Sequence, residues 1–206
     1  MIKIAVTGGA GSGKTSVCNR FKELSVKVIS SDILAREAVA EGSTAYNKIV
    51  NYFGKKVLTE DGSLNRRMLR RIIINDNSAK EALESFIHPE ITKLMHSHII
   101  KAEKDENHIV MVEVPLLFEL GIEGCFDIVI VVIADRKLRI KRLMDRDDVS
   151  REDAEALLNH QLPDEDKAAR AEFVIKNDGS FARMIRSVDH LYKDLVKKYV
   201  KELESA

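Results

Sequence analysis

Cysteine, proline and aromatic residues are all scarce in the 206-residue sequence: two cysteines, three prolines, no tryptophan, and only 5% aromatic residues. Cys18 and Cys125 lie far apart and give neither a disulfide framework nor a metal-ligand spacing, so both are expected as reduced, buried thiols. Neither sign of charge is in excess, because 33 basic and 33 acidic side chains cancel. Without a global field, and with little aromatic interleaving among the basic residues, nucleic-acid binding is not expected and any phosphate site has to be local. No apolar run approaches the length that spans a bilayer, and the N-terminus reads as a core strand, not a cleavable leader. A cytoplasmic protein with no membrane association and no obligate protein partner is the expectation.

What is present is the material of a packed protein, with 45% hydrophobic and 32% charged residues and enough chain for one α/β core plus a smaller insertion. Short apolar runs alternate with amphipathic stretches, which predicts a parallel sheet covered by helices. Strands are expected over 2–6, 26–29, 109–114, 128–134 and 173–175. The third and fourth are nearly pure β-branched runs, as in strands buried on both faces. Helices are expected over 16–24, 32–41 (capped by Ser31), 66–74, 79–104 and 181–203, with Pro89 breaking or starting a helix within 79–104. The stretch 44–107 reads as a helical insertion, and 139–170 as a second, densely charged one. There, Ser150 followed by Asp153 resembles a capping box. No repeat or low-complexity segment appears.

Residues Gly8, Gly9, Ala10, Gly11, Ser12, Gly13, Lys14 and Thr15 fit G-x-x-x-x-G-K-[ST], set between a predicted strand and a predicted helix. The glycines let successive N–H groups converge on an anion, and the helix adds its positive end. The donor cradle is expected from Gly11, Ser12, Gly13, Lys14, Thr15 and Ser16, with Lys14 on the β- and γ-phosphates and the Thr15 hydroxyl on Mg²⁺. A glycine-rich connecting turn is the plain alternative, but it would not need Lys-Thr in register. The chain lacks N-K-x-D, a D-x-x-G after a suitable strand, and L-S-G-G-Q. Its third strand ends Val112-Glu113-Val114-Pro115, without the usual Asp of a hydrolysing NTPase. Small size, acceptor-side helices and a late basic segment therefore suggest a small-molecule kinase, whose lid excludes water from the transfer.

Further motifs run along nearly the whole chain: Asp32-Ile33-Leu34-Ala35-Arg36, residues 62–70 (GSLNRRMLR), His88-Pro89-Glu90-Ile91, Val114 to Glu119 (VPLLFE), residues 142–147 (RLMDRD), residues 161–167, and Asn177-Asp178-Gly179. Together with the glycine loop they resemble the dephospho-CoA kinase family. The resemblance implies a three-layer α/β/α fold of the P-loop NTPase type with a five-stranded parallel sheet. It also implies a single kinase domain over 1–206, with a substrate-binding insertion at 44–107 and a lid at 139–170. The implied reaction is phosphorylation of the ribose 3′-hydroxyl of dephospho-CoA by ATP with Mg²⁺. The alternatives are another small-molecule or nucleotide kinase, or a non-catalytic nucleotide switch. Departures from the family pattern are Ser30-Ser31-Asp32 for Asp-Ala-Asp, Thr92 for an Arg, Leu157 for an Arg, and Arg139 for a Gln.

Carried onto this sequence, the catalytic candidates are Lys14, Asp32 and Arg142. Asp32, just past the second strand, can orient the acceptor hydroxyl and accept its proton, or simply complement the dipole of its helix. Arg142 and Arg146 are spaced i, i+4 and can face a triphosphate, or lie on a solvated basic face with Lys137, Arg139 and Lys141. Asn177 is a candidate adenine contact or loop brace, although Asn-Asp-Gly is also ordinary turn chemistry. His88, Pro115, Leu116 and Leu117, with Asp32, are the acceptor-side candidates. Part of the basic run Arg66, Arg67, Arg70 and Arg71 suits the pyrophosphate or pantetheine arm of a CoA precursor, the rest a solvated face.

Overall fold

A computed structural model describes residues 1–200, apart from the side chains of Asp32 and Val200. The five expected strands form as β1 (Ile2–Thr7), β2 (Lys27–Ile29), β3 (Ile109–Glu113), β4 (Ile128–Ile133) and β5 (Phe173–Lys176). They make one parallel sheet in the order β2-β3-β1-β4-β5. After β1 the chain runs out to the edge at β2, returns to β3, and then crosses to β4 on the other side of β1. The connections leaving β1 and β3 therefore diverge and open a crevice at their carboxyl ends, where open α/β sheets bind ligands. In that register Val6 stands beside Glu113.

Nine helices are distinguished among the described residues: α1 (Lys14–Glu23), α2 (Ser31–Ala38), α3 (Thr44–Phe53), α4 (Arg66–Asn75), α5 (Asn77–Lys104), α6 (Arg136–Asp147), α7 (Arg151–Asn159), α8 (Asp164–Ala169) and α9 (Phe181–Leu195). The last continues through a π-helical turn, Val196–Val200, and the end of the helix expected to 203 lies outside the described residues. No described helix is long and apolar enough to cross a membrane.

The chain divides into two compact units, one of them Ser30–Lys101 and the other the rest of the chain around the sheet. The sheet unit has its main core where Ile4, Val6, Met111, Ile128, Ile130 and Val132 meet Val17, Cys18 and Phe21 of α1 and Met184, Val188 and Leu191 of α9. Phe21 is fully buried and meets Tyr192 edge to face at 6.5 Å. Truncation to Ala there would cost about 3–5 kcal/mol. The smaller unit closes on its own cluster of Ile49, Phe53, Val57, Leu69, Ala79 and Leu83, with the Tyr46 hydroxyl donating to the Gly62 carbonyl at 2.6 Å.

Three local expectations are corrected, and a fourth is met. Pro89 neither ends nor begins a helix: α5 runs through it for 28 residues. Proline removes one N–H and crowds the carbonyl four residues back, which a helix this long survives because its other turns stay bonded. Ser31 is the first residue of α2, not its cap; Ser30 holds the cap position without a side-chain bond, and the helix stops at Ala38. Cys18 is buried, but Cys125 is exposed, because it closes a single 3-10 turn, Glu123–Cys125, on the surface. At α7 the expected cap forms: the Ser150 hydroxyl accepts from the Asp153 N–H at 3.1 Å and donates to the Asp153 carboxylate at 3.0 Å. Aspartate is one methylene shorter than the usual partner of a capping box.

Candidate active site

The glycine loop leaves β1 and feeds α1, whose cap position is Gly13 with a φ of 93° and no side-chain cap. Only glycine holds that conformation cheaply, and a Cβ on Gly13 would also run into the Asn177 amide. An uncapped N-terminus leaves first-turn N–H groups without intrahelical partners, which is the geometry that receives phosphate. Lys14, only 9% exposed, turns its ammonium back onto the loop and donates to the Gly8 carbonyl at 2.8 Å and the Gly9 carbonyl at 3.0 Å. Burial lowers its pKa from the ordinary 10.5 to about 8; the Glu113 carboxylate opposes that fall, while Lys167 and Arg139 add to it. The Ser12 hydroxyl is buried in the loop with no hydrogen-bond partner among the described residues.

Glu113 is the residue at the phosphate loop that motif reading passed over as a candidate. It is buried at the end of β3, and the Thr15 hydroxyl donates to its Oε1 at 3.0 Å. An acidic side chain thus stands at the strand end next to the phosphate loop, as glutamate and not the aspartate sought. Its sequence signal was the one carboxylate in the otherwise apolar strand Ile109–Glu113.

Across the loop lies α6, and here the basic helix resolves into three environments. Arg139, which the alternative reading set on a solvated face, is buried at 7% exposure, with Nε donating to the Ala10 carbonyl at 2.8 Å and Nη1 on Asp164 at 2.7 Å. Arg142 is part-buried and donates to the Gly11 carbonyl at 3.2 Å and the Asn177 carbonyl at 3.1 Å. Arg146, one turn on, is exposed and forks onto Asp147. The geometry separates Arg142 from Arg146: the first touches the loop. Asn177 is buried, with its amide donating to the Ser12 carbonyl at 2.8 Å, so its side chain braces the loop.

The segment after β3 places Leu117 and Phe118 in the core, while Pro115 and Leu116 are part-exposed. Glu119 binds the fully buried Lys167 of α8 at 2.8 Å. Desolvation pushes the Glu119 pKa up, but the bond from Lys167 and further bonds outweigh it and hold the carboxyl below its ordinary value. Beside that pair, the Arg170 guanidinium stacks 4.3 Å from the Phe118 ring centroid and pairs with Glu123. Two acceptor-side candidates belong to the smaller unit. Asp32 is the second residue of α2, with its side chain outside the described residues, and His88 is half-buried on α5, where its carbonyl accepts from Thr92 at 3.0 Å.

The family pattern of dephospho-CoA kinase matches residues 2–183. The chain belongs to the dephospho-CoA kinase family. Curated dephospho-CoA kinases similar to it include one from Bacillus cereus, 38% identical over 94% of this chain and 96% of that protein. Another, from Moorella thermoacetica, is 40% identical over 95% and 92% respectively. Among solved structures, dephospho-CoA kinase from Campylobacter jejuni aligns at 31% identity and a TM-score of 0.72, over 95% of this chain and 97% of that one. Shikimate kinase from Acinetobacter baumannii, at 16% identity and a TM-score of 0.51 over 94% of each chain, shares the fold. The five-stranded parallel sheet with helices on both sides is thus the P-loop kinase fold. Two departures from the dephospho-CoA kinase pattern acquire structural content. Leu157 is 41% exposed on α7, and Arg139, where the family usually has Gln, is buried against the phosphate loop.

Proposed function

We infer that the protein transfers the γ-phosphoryl group of ATP to the ribose 3′-hydroxyl of dephospho-CoA, giving CoA and ADP. Membership of the dephospho-CoA kinase family supports the acceptor, and the Lys14, Thr15 and Glu113 arrangement at the diverging ends of β1 and β3 supports the donor site. That arrangement is the single observation of the structure that carries the donor half of the reading, because a charged lysine and a bonded hydroxyl–carboxylate pair at a phosphate loop suit a triphosphate with its cation.

The loop N–H groups and Lys14 hold the β- and γ-phosphates, and phosphoryl transfer then asks the protein mainly for position and charge. The Thr15 hydroxyl and the Glu113 carboxylate, 3.0 Å apart, are hard oxygen donors of the kind Mg²⁺ takes one or two at a time beside phosphate oxygens. Bound there, Mg²⁺ would neutralise charge on the phosphates. Asp32, at the start of α2, orients the acceptor hydroxyl and accepts its proton as the bond to phosphorus forms. Arg142 leaves the Gly11 carbonyl and turns its fork onto the transferring phosphoryl oxygens. Arg146 and Asn177 complete the donor side, while His88, Pro115 and Leu116 line the acceptor; Leu117, a candidate for the same role, is fully buried and packs in the core instead. The helices of Ser30–Lys101 carry the acceptor, and α7 with its flanks closes over the phosphates to exclude water. The reaction belongs to the cytoplasm and needs neither nucleic acid nor membrane.

Phosphorus NMR of a reaction containing the protein, ATP, Mg²⁺ and dephospho-CoA tests this directly. A new 3′-phosphomonoester resonance growing as ADP appears is expected. ADP with inorganic phosphate, or phosphorylation elsewhere on the acceptor, would overturn it.

A further inference from the structure

We propose that Arg139 is a positioning residue for the donor phosphates: it fixes the tip of the glycine loop through the Ala10 carbonyl, and Asp164 holds it in place. The proposal rests on the loop being the donor site. Both polar backbone groups of Ala10 are gripped from outside the loop. Its carbonyl accepts from Arg139 Nε at 2.8 Å, and its N–H donates to Gln161 Oε1 at 2.7 Å. Those partners come from different halves of the excursion between β4 and β5, Arg139 from α6 and Gln161 from the turn before α8.

The Arg139 side chain also lies along the loop. A Cβ on Gly9 would collide with its guanidinium, and one on Gly11 would come within 2.8 Å of its backbone carbonyl. The loop glycines are therefore needed here for close approach as well as for backbone freedom. A buried guanidinium is costly unless its donors are met. Asp164 meets Nη1 at 2.7 Å, with side-chain exposures of 8% for the arginine and 18% for the aspartate. The result is a fork with one prong on the loop and one on a carboxylate, a geometry that lysine cannot reproduce. Glutamine can still donate to Ala10 but reaches no carboxylate in the same pose.

A phosphate cradle built of backbone N–H groups works only if those groups are aimed before the ligand arrives; otherwise binding bears the cost of ordering them. The grip on Ala10 supplies that order at the loop tip, where the sheet does not reach. Arg142, by contrast, rests on the Gly11 and Asn177 carbonyls through longer bonds of 3.2 and 3.1 Å and meets no carboxylate there among the described residues.

The test uses the full chain and reads affinity separately from turnover. Arg139→Ala should raise both the KM for ATP and the Kd for adenylyl imidodiphosphate about tenfold. It should leave kcat within about threefold and the KM for dephospho-CoA unchanged. Arg139→Lys should recover less than half of that loss on a logarithmic scale. Asp164→Asn should lose affinity in the same direction, and the double variant should be no worse than Arg139→Ala, because the two residues act as one device. If Arg139→Ala does not fold, Asp164→Asn carries the test alone. Unchanged analogue affinity in folded Arg139→Ala, full rescue by lysine, strictly additive losses, or an equal rise in both KM values would each overturn the proposal. Lys14→Ala separates this from failure of the donor site. If Lys14→Ala abolishes analogue binding and Arg139→Ala does not weaken it, only the positioning role falls. If Lys14→Ala also binds normally, the donor site itself is wrong.

Discussion

Lys14 should take up a proton when the nucleotide binds, and the structure sets how much. Burial lowers the ammonium from 10.5 to about 8 despite the opposing carboxylate of Glu113. At pH 8 about half of the free sites therefore carry a neutral Lys14. A bound triphosphate places several negative charges against the same nitrogen and returns it toward its ordinary value. Uptake should then be about 0.5 proton per site at pH 8, about 0.1 at pH 7 and about 0.9 at pH 9. Above pH 8 the affinity for nucleotide should fall about tenfold per unit, since binding selects the protonated form. Titration calorimetry with adenylyl imidodiphosphate and Mg²⁺, in two buffers of different ionisation enthalpy, measures the uptake. Lys14→Arg, which stays charged throughout, provides the zero. The same shift acts on folding with a definite sign. A base whose folded pKa is depressed binds fewer protons folded than unfolded between about 8 and 10.5. Unliganded stability should therefore rise with pH across that window, by about 3 kcal/mol in all. No proton uptake at pH 8, or the same uptake in Lys14→Arg, would refute the reasoning.

Glu113→Gln should lower turnover about 10²–10³-fold, because the Thr15 hydroxyl loses its charged acceptor and Mg²⁺ would lose an anionic oxygen donor beside the phosphates. It should also move the proton-uptake curve to lower pH, and calorimetry on the same variant checks both the direction and the link to Lys14. Asp32→Asn should cut turnover about 10²–10⁴-fold with little change in analogue affinity, read by steady-state kinetics and direct binding. Hydrogen exchange on adding adenylyl imidodiphosphate with dephospho-CoA should slow chiefly in α7, which is held through the small cluster of Ile140, Leu143, Ala154 and Leu158. In α8, already tied by Lys167 and Arg170, exchange should change little. Uniform slowing across 139–170 would mean that the whole segment closes as one lid.

The sheet was readable because its strands are short β-branched runs, and the donor loop because Lys14 and Thr15 follow the glycines at fixed spacing. What sequence could not supply was pairing across distance. Glu113 meets Thr15 across 98 positions of chain, and a lone carboxylate at the end of an apolar strand does not by itself name its partner. Periodicity identified α6 as a basic helix but could not rank Arg139, Arg142 and Arg146. Their difference lies in how the helix crosses the loop, which tertiary packing decides. Pro89 was misjudged for the opposite reason: a strong local rule gave way to a 28-residue helix able to absorb one missing bond. Cys125 followed composition into an expected core that its surface turn denies.

The most direct measurement of the central claim is ADP release under saturating ATP and Mg²⁺, with dephospho-CoA, shikimate, a nucleoside monophosphate or no acceptor added. Release that depends on dephospho-CoA, matches CoA formed mole for mole and stays near background with the others is the predicted result. Equal release without acceptor, or a stronger response to another acceptor, would contradict it.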